Sequence, residues 1–438
     1  MKVKHVTHAL HPPQQVGGSS CGEDYKTAGE TVKYDVIVVG AGPSGSTTAK
    51  EMANKGLKVI AVEKHRLDRE KPCAGGVTER AIQRFQIPEH IFDRSCYKLF
   101  LCSPKCKTVT LEYPERIVAT TMRAKLDKTL AELAIDQGAE IKENTRAIDV
   151  IIENGFVKGV KAKSQGESLD IYGDIIIIAS GTPSILTKKL GLLTNDERSQ
   201  TICYQYQMAI DEKLIDDRIG DQLEIYYGSN IIPGGYAWIF PKKNIVSVGL
   251  GTWLECCKDK DIRLRQRLDG FIKRHPIASK KLVRAKILYP QAAMISFPGV
   301  ISKIYGDGFM VTGEAAGNVD FVNGEGLYYS MMSGEIAGKT AVDALEVNDF
   351  SAGFLKNYKI AIDKEIGKEL KATFNIRRNM VTTDYQQEFT VDTALKNRDF
   401  GDHLLKYMRG EVSPSDFKWY ALKHPLFLMK MIFARFRS

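Results

Sequence analysis

Apolar runs near the N-terminus enclose a stretch with a helical pattern. Residues 34–39 (YDVIVV) and 57–63 (LKVIAVE) have the length and composition of buried strands. Residues 44–55 lie between them and are followed by Gly56, a common residue after a helix. Strand, helix and strand in this order predict a βαβ unit. The pattern further predicts a helix over 120–136, strands over 139–152 and 155–163, and a buried strand, DIIIIAS, that ends at Gly181.

The middle of the chain follows a different pattern, in which apolar and polar residues alternate. From about 197 to 290, the segments TICYQYQMAI, QLEIYYG, YAWIF and IVSVGLG predict a mostly antiparallel sheet. The strand–turn–helix pattern returns at 306–317, and residues after 350 are mainly helical. The sequence therefore predicts an α/β fold, α+β overall, in which a Rossmann-type domain contains an inserted sheet and precedes a C-terminal helical region.

Composition narrows the class of protein. The chain has 438 residues, of which 43% are hydrophobic, yet no stretch approaches the roughly 18 consecutive apolar residues of a membrane span. The N-terminus lacks the apolar core of a signal peptide, so we expect a cytoplasmic protein. Residues 1–33 are polar and rich in Gly and Ser, which predicts a disordered extension.

Cysteines and charge exclude several functions. Eight cysteines are too few for a disulfide scaffold. Cys102 and Cys106 have C-x3-C spacing, but no second pair completes a zinc site, so we expect two structural thiols and no metal. The net charge is +9 without a basic run interleaved with aromatics, which argues against nucleic-acid binding. Anionic lipid or an acidic protein stays open as a partner.

The sequence GAGPSG places Gly40, Gly42 and Gly45 between a predicted strand and a predicted helix. In a dinucleotide-binding turn, the first glycine permits the tight turn, the second lets the backbone approach a pyrophosphate, and the third allows close helix packing. The helix N-terminus attracts phosphate. Glu63 ends the next strand, where its carboxylate is placed to accept hydrogen bonds from a ribose.

A second glycine motif indicates that the dinucleotide is FAD. The segment GDGFMVTGEAAG, residues 306–317, resembles the second FAD fingerprint of the para-hydroxybenzoate hydroxylase superfamily. That family has Gly-Asp where this chain has Gly313-Glu314, and the resemblance implies that Glu314 bonds the ribityl chain. It also implies that a helix N-terminus at Gly326 and Leu327 lies beside the flavin pyrimidine, where its dipole stabilises anionic reduced flavin.

Two further motifs, KPCAGGVTERA and PGGYAWIFPKKNIVSVGLG, make the chain similar to the geranylgeranyl reductase family over residues 34 to about 345. The hydroxylases have Asp-Gly where this chain has Ser180-Gly181, and the flavin halogenases have W-x-W-x-I-P where it has Y-A-W-I-F-P. Both differences favour a reductase. In addition to the residues already named, the resemblance implies contacts with FAD from Ser44, Cys73, Ala74, Gly76, Arg123 and the backbone of Ala147.

The resemblance gives the predicted domains their roles. We expect a discontinuous FAD-binding domain over 34–95, 116–190 and 291–348, a substrate-binding sheet domain over 96–115 and 191–290, and a helical C-terminal region over 349–438.

Tyr236, Trp238 and Phe240 alternate along one predicted strand and so share one face. Periodicity alone leaves open whether these rings fill a core or form the wall of a ligand site. The family resemblance favours the wall of a cavity for a polyprenyl chain, because rigid rings provide large apolar contact area at small entropic cost.

The resemblance also implies the chemistry. We expect reduced FAD to deliver hydride to an isoprenoid double bond, with Cys73 either donating the proton or only shaping the pocket. The expected substrate is a geranylgeranyl group of an archaeal-type ether lipid. Alternatives are geranylgeranyl diphosphate, a chlorophyll or menaquinone side chain, or a flavin electron carrier without its own substrate.

The remaining expected partners are an electron donor and a membrane. The donor is a ferredoxin, a deazaflavin or NADPH. Residues 424–438 mix apolar and basic side chains, which suits either peripheral contact with an anionic membrane or packing on the protein body.

Overall fold

Eighteen strands and thirteen α-helices occur in the described part of the chain, which in this computed structural model comprises residues 33–194, 196–258, 262–416, 420 and 423–424. The strands are β1 (Lys33–Val39), β2 (Val59–Val62), β3 (Gly76–Thr78), β4 (Arg94–Cys96), β5 (Lys98–Cys102), β6 (Thr108–Glu112), β7 (Val118–Thr120), β8 (Glu140–Lys142), β9 (Thr145–Glu153), β10 (Phe156–Ser164), β11 (Glu167–Ile178), β12 (Gln200–Ala209), β13 (Gln222–Tyr227), β14 (Tyr236–Pro241), β15 (Ile245–Trp253), β16 (Lys286–Ser296), β17 (Tyr305–Gly306) and β18 (Phe309–Val311). The helices are α1 (Pro43–Ala53), α2 (Glu79–Phe85), α3 (Arg123–Ile135), α4 (Ile185–Lys189), α5 (Glu212–Arg218), α6 (Leu254–Lys258), α7 (Leu264–Arg274), α8 (Ala278–Lys281), α9 (Leu327–Glu346), α10 (Ala352–Ile362), α11 (Lys368–Met380), α12 (Asp384–Lys396) and α13 (Arg398–Arg409).

Five parallel strands form the core of the first sheet, in the order β18-β11-β1-β2-β8. This is the strand order of a Rossmann-type fold, in which ligands bind beyond the carboxyl ends of the strands. β9, β10 and β11 add an antiparallel meander to it. The strand predicted over 139–152 is two strands, because Asn144 takes a left-handed backbone conformation (φ 52°) between β8 and β9.

The second sheet has seven strands in the order β16-β12-β15-β14-β13-β5-β6, and only β13 and β5 pair in parallel. One face packs Ala237, Ile239, Val248 and Leu250 into a buried core. The opposite face presents the side chains that alternate with these. A three-stranded sheet, β3-β7-β4, lies in the segment that precedes α3. The predicted α/β fold with an inserted, mostly antiparallel sheet and a helical C-terminal region is confirmed.

The C-terminal helical region is hydrogen-bonded to the loop that precedes α9. The hydroxyl of Tyr407, in α13, donates a hydrogen bond to the buried carboxyl of Asp320. That carboxyl also accepts the backbone N–H of Val322 at 2.7 Å. Burial raises the pKa of Asp320 to about 6. The loop at 320–326 is therefore held by both its own backbone and the helical region.

The described part of the chain begins and ends within the predicted terminal segments, 1–33 and 424–438. Lys33, in β1, pairs with Tyr172 of β11, so the last residue of the predicted extension belongs to a strand. Residues 1–32 and 425–438 lie outside the described residues. The described residues from Lys33 onward form one compact unit, so the boundaries proposed within it stay a prediction.

Candidate functional site

The glycine loop between β1 and α1 leaves space for a ligand at one position only. A Cβ on Gly40 (φ 104°) would lie 2.6 Å from the Ala179 carbonyl oxygen, and one on Gly45 would lie 1.8 Å from the Gly40 oxygen. Both glycines are therefore required by the fold. Gly42 is the N-cap residue of α1. A Cβ at this position would meet no protein atom within 4 Å. The space at Gly42 is where a phosphate group would approach the helix N-terminus.

The second glycine motif lies directly against the first. Ser44 Oγ is 3.0 Å from Thr312 Oγ1, and a Cβ on Gly313 (φ 67°) would lie 2.8 Å from the Ser44 Cβ. The hydroxyl of Ser333, in α9, accepts the Gly313 N–H at 2.9 Å. α9 begins at Leu327 with Gly326 at its N-cap. The two motifs thus lie against each other, although Ser44 and Thr312 are 268 positions apart in the chain.

Glu63 is buried at the end of β2 and fixed by backbone groups. Its carboxylate accepts the N–H of Ala41 at 3.0 Å and the N–H of His65 at 3.1 Å. The Glu63 carbonyl accepts the N–H of Thr145 at 2.8 Å. This bond holds the start of β9, with Ala147 two residues later, next to the end of β2. A ribose bound here would meet a carboxylate whose position is already set.

Arg123 is part of a buried ion pair that the sequence analysis did not predict. Its guanidinium contacts both carboxylate oxygens of Asp127, at 2.8 and 2.9 Å, and the two side chains are 5% and 0% exposed. Arg69 adds a third contact to Asp127 at 2.9 Å. Burial opposes the charge of Asp127, but these cations hold the pKa of its carboxyl below the usual value. The i, i+4 spacing of Arg123 and Asp127 on a helix was the available signal.

Three successive carbonyls fix the loop that contains Cys73. The donors are Gln205 Nε2 to the Cys73 oxygen at 3.0 Å, Lys242 Nζ to the Ala74 oxygen at 2.8 Å and the Thr121 N–H to the Gly75 oxygen at 2.9 Å. The Gly75 N–H points to the Cys73 sulfur at 3.3 Å. Gln205 lies on β12 and Lys242 directly follows β14, so the inserted sheet and its β14–β15 turn supply two of the three donors to this loop.

Lys242 is the functional candidate that sequence reasoning missed. Its side chain is 2% exposed, and its Nζ also donates to Ser247 Oγ at 2.6 Å. Burial lowers the pKa of Lys242 to about 8. Lys242 has the same parity as Tyr236, Trp238 and Phe240, so continued alternation was a usable signal.

The three aromatic rings of β14 belong to the face that meets the Cys73 loop. Trp238 pairs with Gly249 of β15, where a Cβ would lie 2.3 Å from the Trp238 ring. A Cβ on Gly76 would lie 3.1 Å from the Phe240 ring, and the Tyr236 hydroxyl donates to the Asn323 carbonyl at 3.0 Å. The rings therefore line the boundary between the inserted sheet and the segments that contain Gly76 and Asn323, and Phe240 also packs against a buried core.

Glu314 lies near this boundary, where its carboxylate is 3.5 Å from Lys71 Nζ. Several buried polar atoms of the same region have no hydrogen-bond partner within the described residues. They are Thr201 Oγ1, Gln205 Oε1, Trp238 Nε1 and Asn318 Nδ2. Since buried polar groups are normally hydrogen-bonded, these atoms can serve as partners for a bound group.

Two families match the chain. The geranylgeranyl reductase catalytic domain matches residues 199–292, and an FAD-binding domain matches residues 33–245. The digeranylgeranylglycerophospholipid reductase of Methanocaldococcus jannaschii is 33% identical over 74% of this chain and 81% of its own length. That of Methanocella arvoryzae is 30% identical over 79% of this chain and 86% of its own length. The chain belongs to the geranylgeranyl reductase family.

Solved structures agree with this assignment. A geranylgeranyl bacteriochlorophyll reductase-like protein from Thermoplasma acidophilum has a TM-score of 0.78 and 26% identity, covering 92% of this reductase and 99% of that chain. The flavin-dependent brominase Bmp2 shares the fold, with a TM-score of 0.73 at 18% identity over 90% of this chain and 99% of its own. The reductase is a flavin oxidoreductase that acts on carbon–carbon double bonds, and its cofactor is FAD.

The residues present fit FAD. The space at Gly42 suits a pyrophosphate, and the unpaired Asn318 Nδ2 lies in the segment that follows the second glycine motif.

No helix within the described residues of the reductase is long and apolar enough to cross a membrane.

The cysteine pair of the reductase has a histidine neighbour. One ligand atom each from Cys102, Cys106 and His275 lie within 4.8 Å of one another. However, His275 Nδ1 accepts the N–H groups of Ile277 and Ala278 at 3.3 and 3.2 Å. In the neutral ring this leaves the proton on Nε2. His275 is therefore a helix cap whose free nitrogen is a donor, which does not suit a metal ligand.

Proposed function

We propose that this reductase saturates the double bonds of geranylgeranyl chains in archaeal-type ether-lipid precursors. The observation that carries the proposal is the row of Tyr236, Trp238 and Phe240 along the boundary with the Cys73 loop. A geranylgeranyl chain offers almost only hydrocarbon for recognition, so a site for it needs shaped apolar walls. The two relatives named as digeranylgeranylglycerophospholipid reductases support the choice of lipid.

Each part of the site has a role in holding the cofactor. Gly42 and the N-terminus of α1 would hold the pyrophosphate, Glu63 the ribose, and Glu314 with the N-terminus of α9 the flavin end. Reduced FAD, when bound, supplies a hydride. The Gln205 and Lys242 hydrogen bonds keep the Cys73 loop in one conformation against this surface.

Cys73 is the proposed proton donor. Its S–H bond breaks as a C–H bond forms at the second carbon of the former double bond, and the negative charge stays on sulfur. Two buried cations, Arg123 and Lys242, interact electrostatically with this sulfur. Cations beside a thiolate stabilise it.

The test is a single turnover with anaerobic, dithionite-reduced protein, followed by mass spectrometry of the lipid. Each reduced bond adds one H2 to the substrate mass. We expect Cys73→Ala to retain FAD and to lose most of the rate, and a wild-type rate in this variant would remove Cys73 from the chemistry. Geranylgeranyl diphosphate, a chlorophyll precursor and menaquinone serve as competing substrates. Reoxidation by none of the prenyl compounds would favour a flavin electron carrier and overturn the proposal.

The electron donor and the C-terminal segment complete the proposal. The net charge of +9 suits an acidic ferredoxin, and a deazaflavin and NADPH are the other donors to compare by anaerobic flavin reduction. Residues 424–438 are proposed to contact an anionic membrane. Deleting them is expected to lower liposome binding with FAD content intact, and unchanged binding would reject this contact.

A further inference from the structure

The turn between α8 and the edge strand β16 exposes large apolar side chains. Val283, Ile287 and Leu288 are 51%, 50% and 49% exposed. A groove of about 710 Å³ runs beside them, lined partly by Met208 and Leu282. Contiguous exposed apolar surface usually marks a binding site.

Exposed cations surround these apolar residues. The side chains are those of Lys273, Lys280, Arg284 and Lys286. The sequence from 270 to 306 contains no Asp or Glu. Lys281 is paired with the buried Glu224, so its charge is already compensated. We call Val283, Ile287, Leu288 and the four exposed cations the basic apolar surface.

The surface is rigidly connected to the site. Arg218 of α5 donates to the carbonyl of Val283 at 2.6 Å, which holds the turn in place. β16 then runs from Leu288 to Gln291, about 10 Å at the rise of a strand. The Gln291 side chain accepts a hydrogen bond from Gln205 Nε2 at 2.6 Å, and the same Gln205 nitrogen bonds the Cys73 carbonyl.

We infer that the basic apolar surface docks on the face of an anionic lipid bilayer. Its apolar side chains enter the interface, and its cations face the lipid phosphates. Charge complementarity favours a bilayer over a second copy of this chain, since two like-charged surfaces repel. The inference rests on the proposed function, because a substrate with hydrocarbon chains resides in such a bilayer. β16 would then connect the lipid surface to the Cys73 loop.

The test is co-sedimentation of the full-length, FAD-loaded protein with phosphatidylglycerol vesicles and with phosphatidylcholine vesicles. One variant combines Lys280→Gln with Lys286→Gln, and another combines Ile287→Ser with Leu288→Ser. The matched control, Ile152→Ser, alters an apolar residue that is 58% exposed on β9. At about 1 kcal/mol per cation, which is a factor of about five, the double Gln variant should bind anionic vesicles about 30-fold more weakly. The control should bind as the wild type does.

Activity separates this inference from the proposed function. Both variants should reduce detergent-dispersed lipid at the wild-type rate and lose rate only on lipid in vesicles. Wild-type vesicle binding in both variants would overturn the surface while leaving the function intact. A concentration-dependent dimer that the Ser variant dissociates would assign the surface to a second copy instead. Absence of reduction in detergent, with vesicle binding intact, would reject the proposed function.

Discussion

Gly42→Ala separates the needs of the fold from the needs of the cofactor. A methyl group at this position meets no protein atom within 4 Å, and the backbone (φ −81°, ψ −173°) is extended, which any residue adopts. The apo-protein should therefore fold with unchanged or slightly higher stability, by up to about 1 kcal/mol, because alanine has less freedom in the unfolded chain. The methyl fills the space that the pyrophosphate needs, so the loss falls on FAD binding alone.

The magnitude follows from the cost of overfilling a packed site, about 1–3 kcal/mol. At the middle of that range, the Kd for FAD rises about 30-fold. With FAD at about 1,000 times the wild-type Kd, the stabilisation by ligand falls from about 4 to about 2 kcal/mol. Flavin fluorescence titration gives the Kd, and thermal unfolding with and without FAD gives the stabilisation.

Two further glycine variants provide the comparison. Gly45→Ala should destabilise the apo-protein itself, since its Cβ would lie 1.8 Å from the Gly40 oxygen. Gly353→Ala, in α10, should leave the FAD affinity unchanged. If Gly42→Ala binds FAD as the wild type does, the pyrophosphate does not approach Gly42. If it fails to fold without FAD, the space at Gly42 is not open.

Three other changes test the buried charges and the aromatic face. Lys242 has a pKa of 10.5 in the unfolded chain and about 8 in the folded protein, so the free energy of unfolding of the wild type should rise by about 3 kcal/mol between these pH values. Urea unfolding of Lys242→Met should lack that rise. A rise that persists in the variant would contradict the assigned pKa. Asp127→Asn leaves Arg123 buried without a carboxylate and should lower the free energy of unfolding, measured by thermal unfolding, by about 3–5 kcal/mol. The control Glu132→Gln, at an exposed position of the same helix, should lower it by at most about 1 kcal/mol. Equal losses would refute a buried pair. Gly249→Ala should displace the Trp238 ring, lower the free energy of unfolding by about 1–3 kcal/mol and change the tryptophan fluorescence. An unchanged fluorescence spectrum would show that the ring does not lie over β15.

Local patterns predicted the elements that depend on neighbouring residues. The βαβ unit at 33–62 followed from apolar runs and glycines, because a parallel strand buried on both faces has to be continuously apolar. The alternation at Tyr236, Trp238 and Phe240 predicted a shared face for the same kind of reason. Which face that was, and what it contacted, depended on the register of β14 against β15.

Contacts distant in sequence were not predictable. Lys242 and Lys243 look like a solvated pair, and only the continuation of β14 turns the first of them inward. Gln205 reaches the Cys73 carbonyl across 132 positions of the chain. Neither residue belongs to a glycine or cysteine motif, so the alternation that continues past β14 was the signal for Lys242, and Gln205 had none. The predicted roles of the individual site residues stay predictions for the experiments above.

The hydrogen bonds of the Cys73 loop also limit how this protein can be recombined. Gln205 lies on β12 and Lys242 directly follows β14, but the carbonyls they bond, those of Cys73 and Ala74, belong to the segment that precedes β3. A chimera that grafts the corresponding sheet of another flavoprotein onto these glycine motifs would lose both donors at once. To exchange substrate preference by such grafting, the grafted sheet must therefore keep Gln and Lys at the positions that correspond to Gln205 and Lys242.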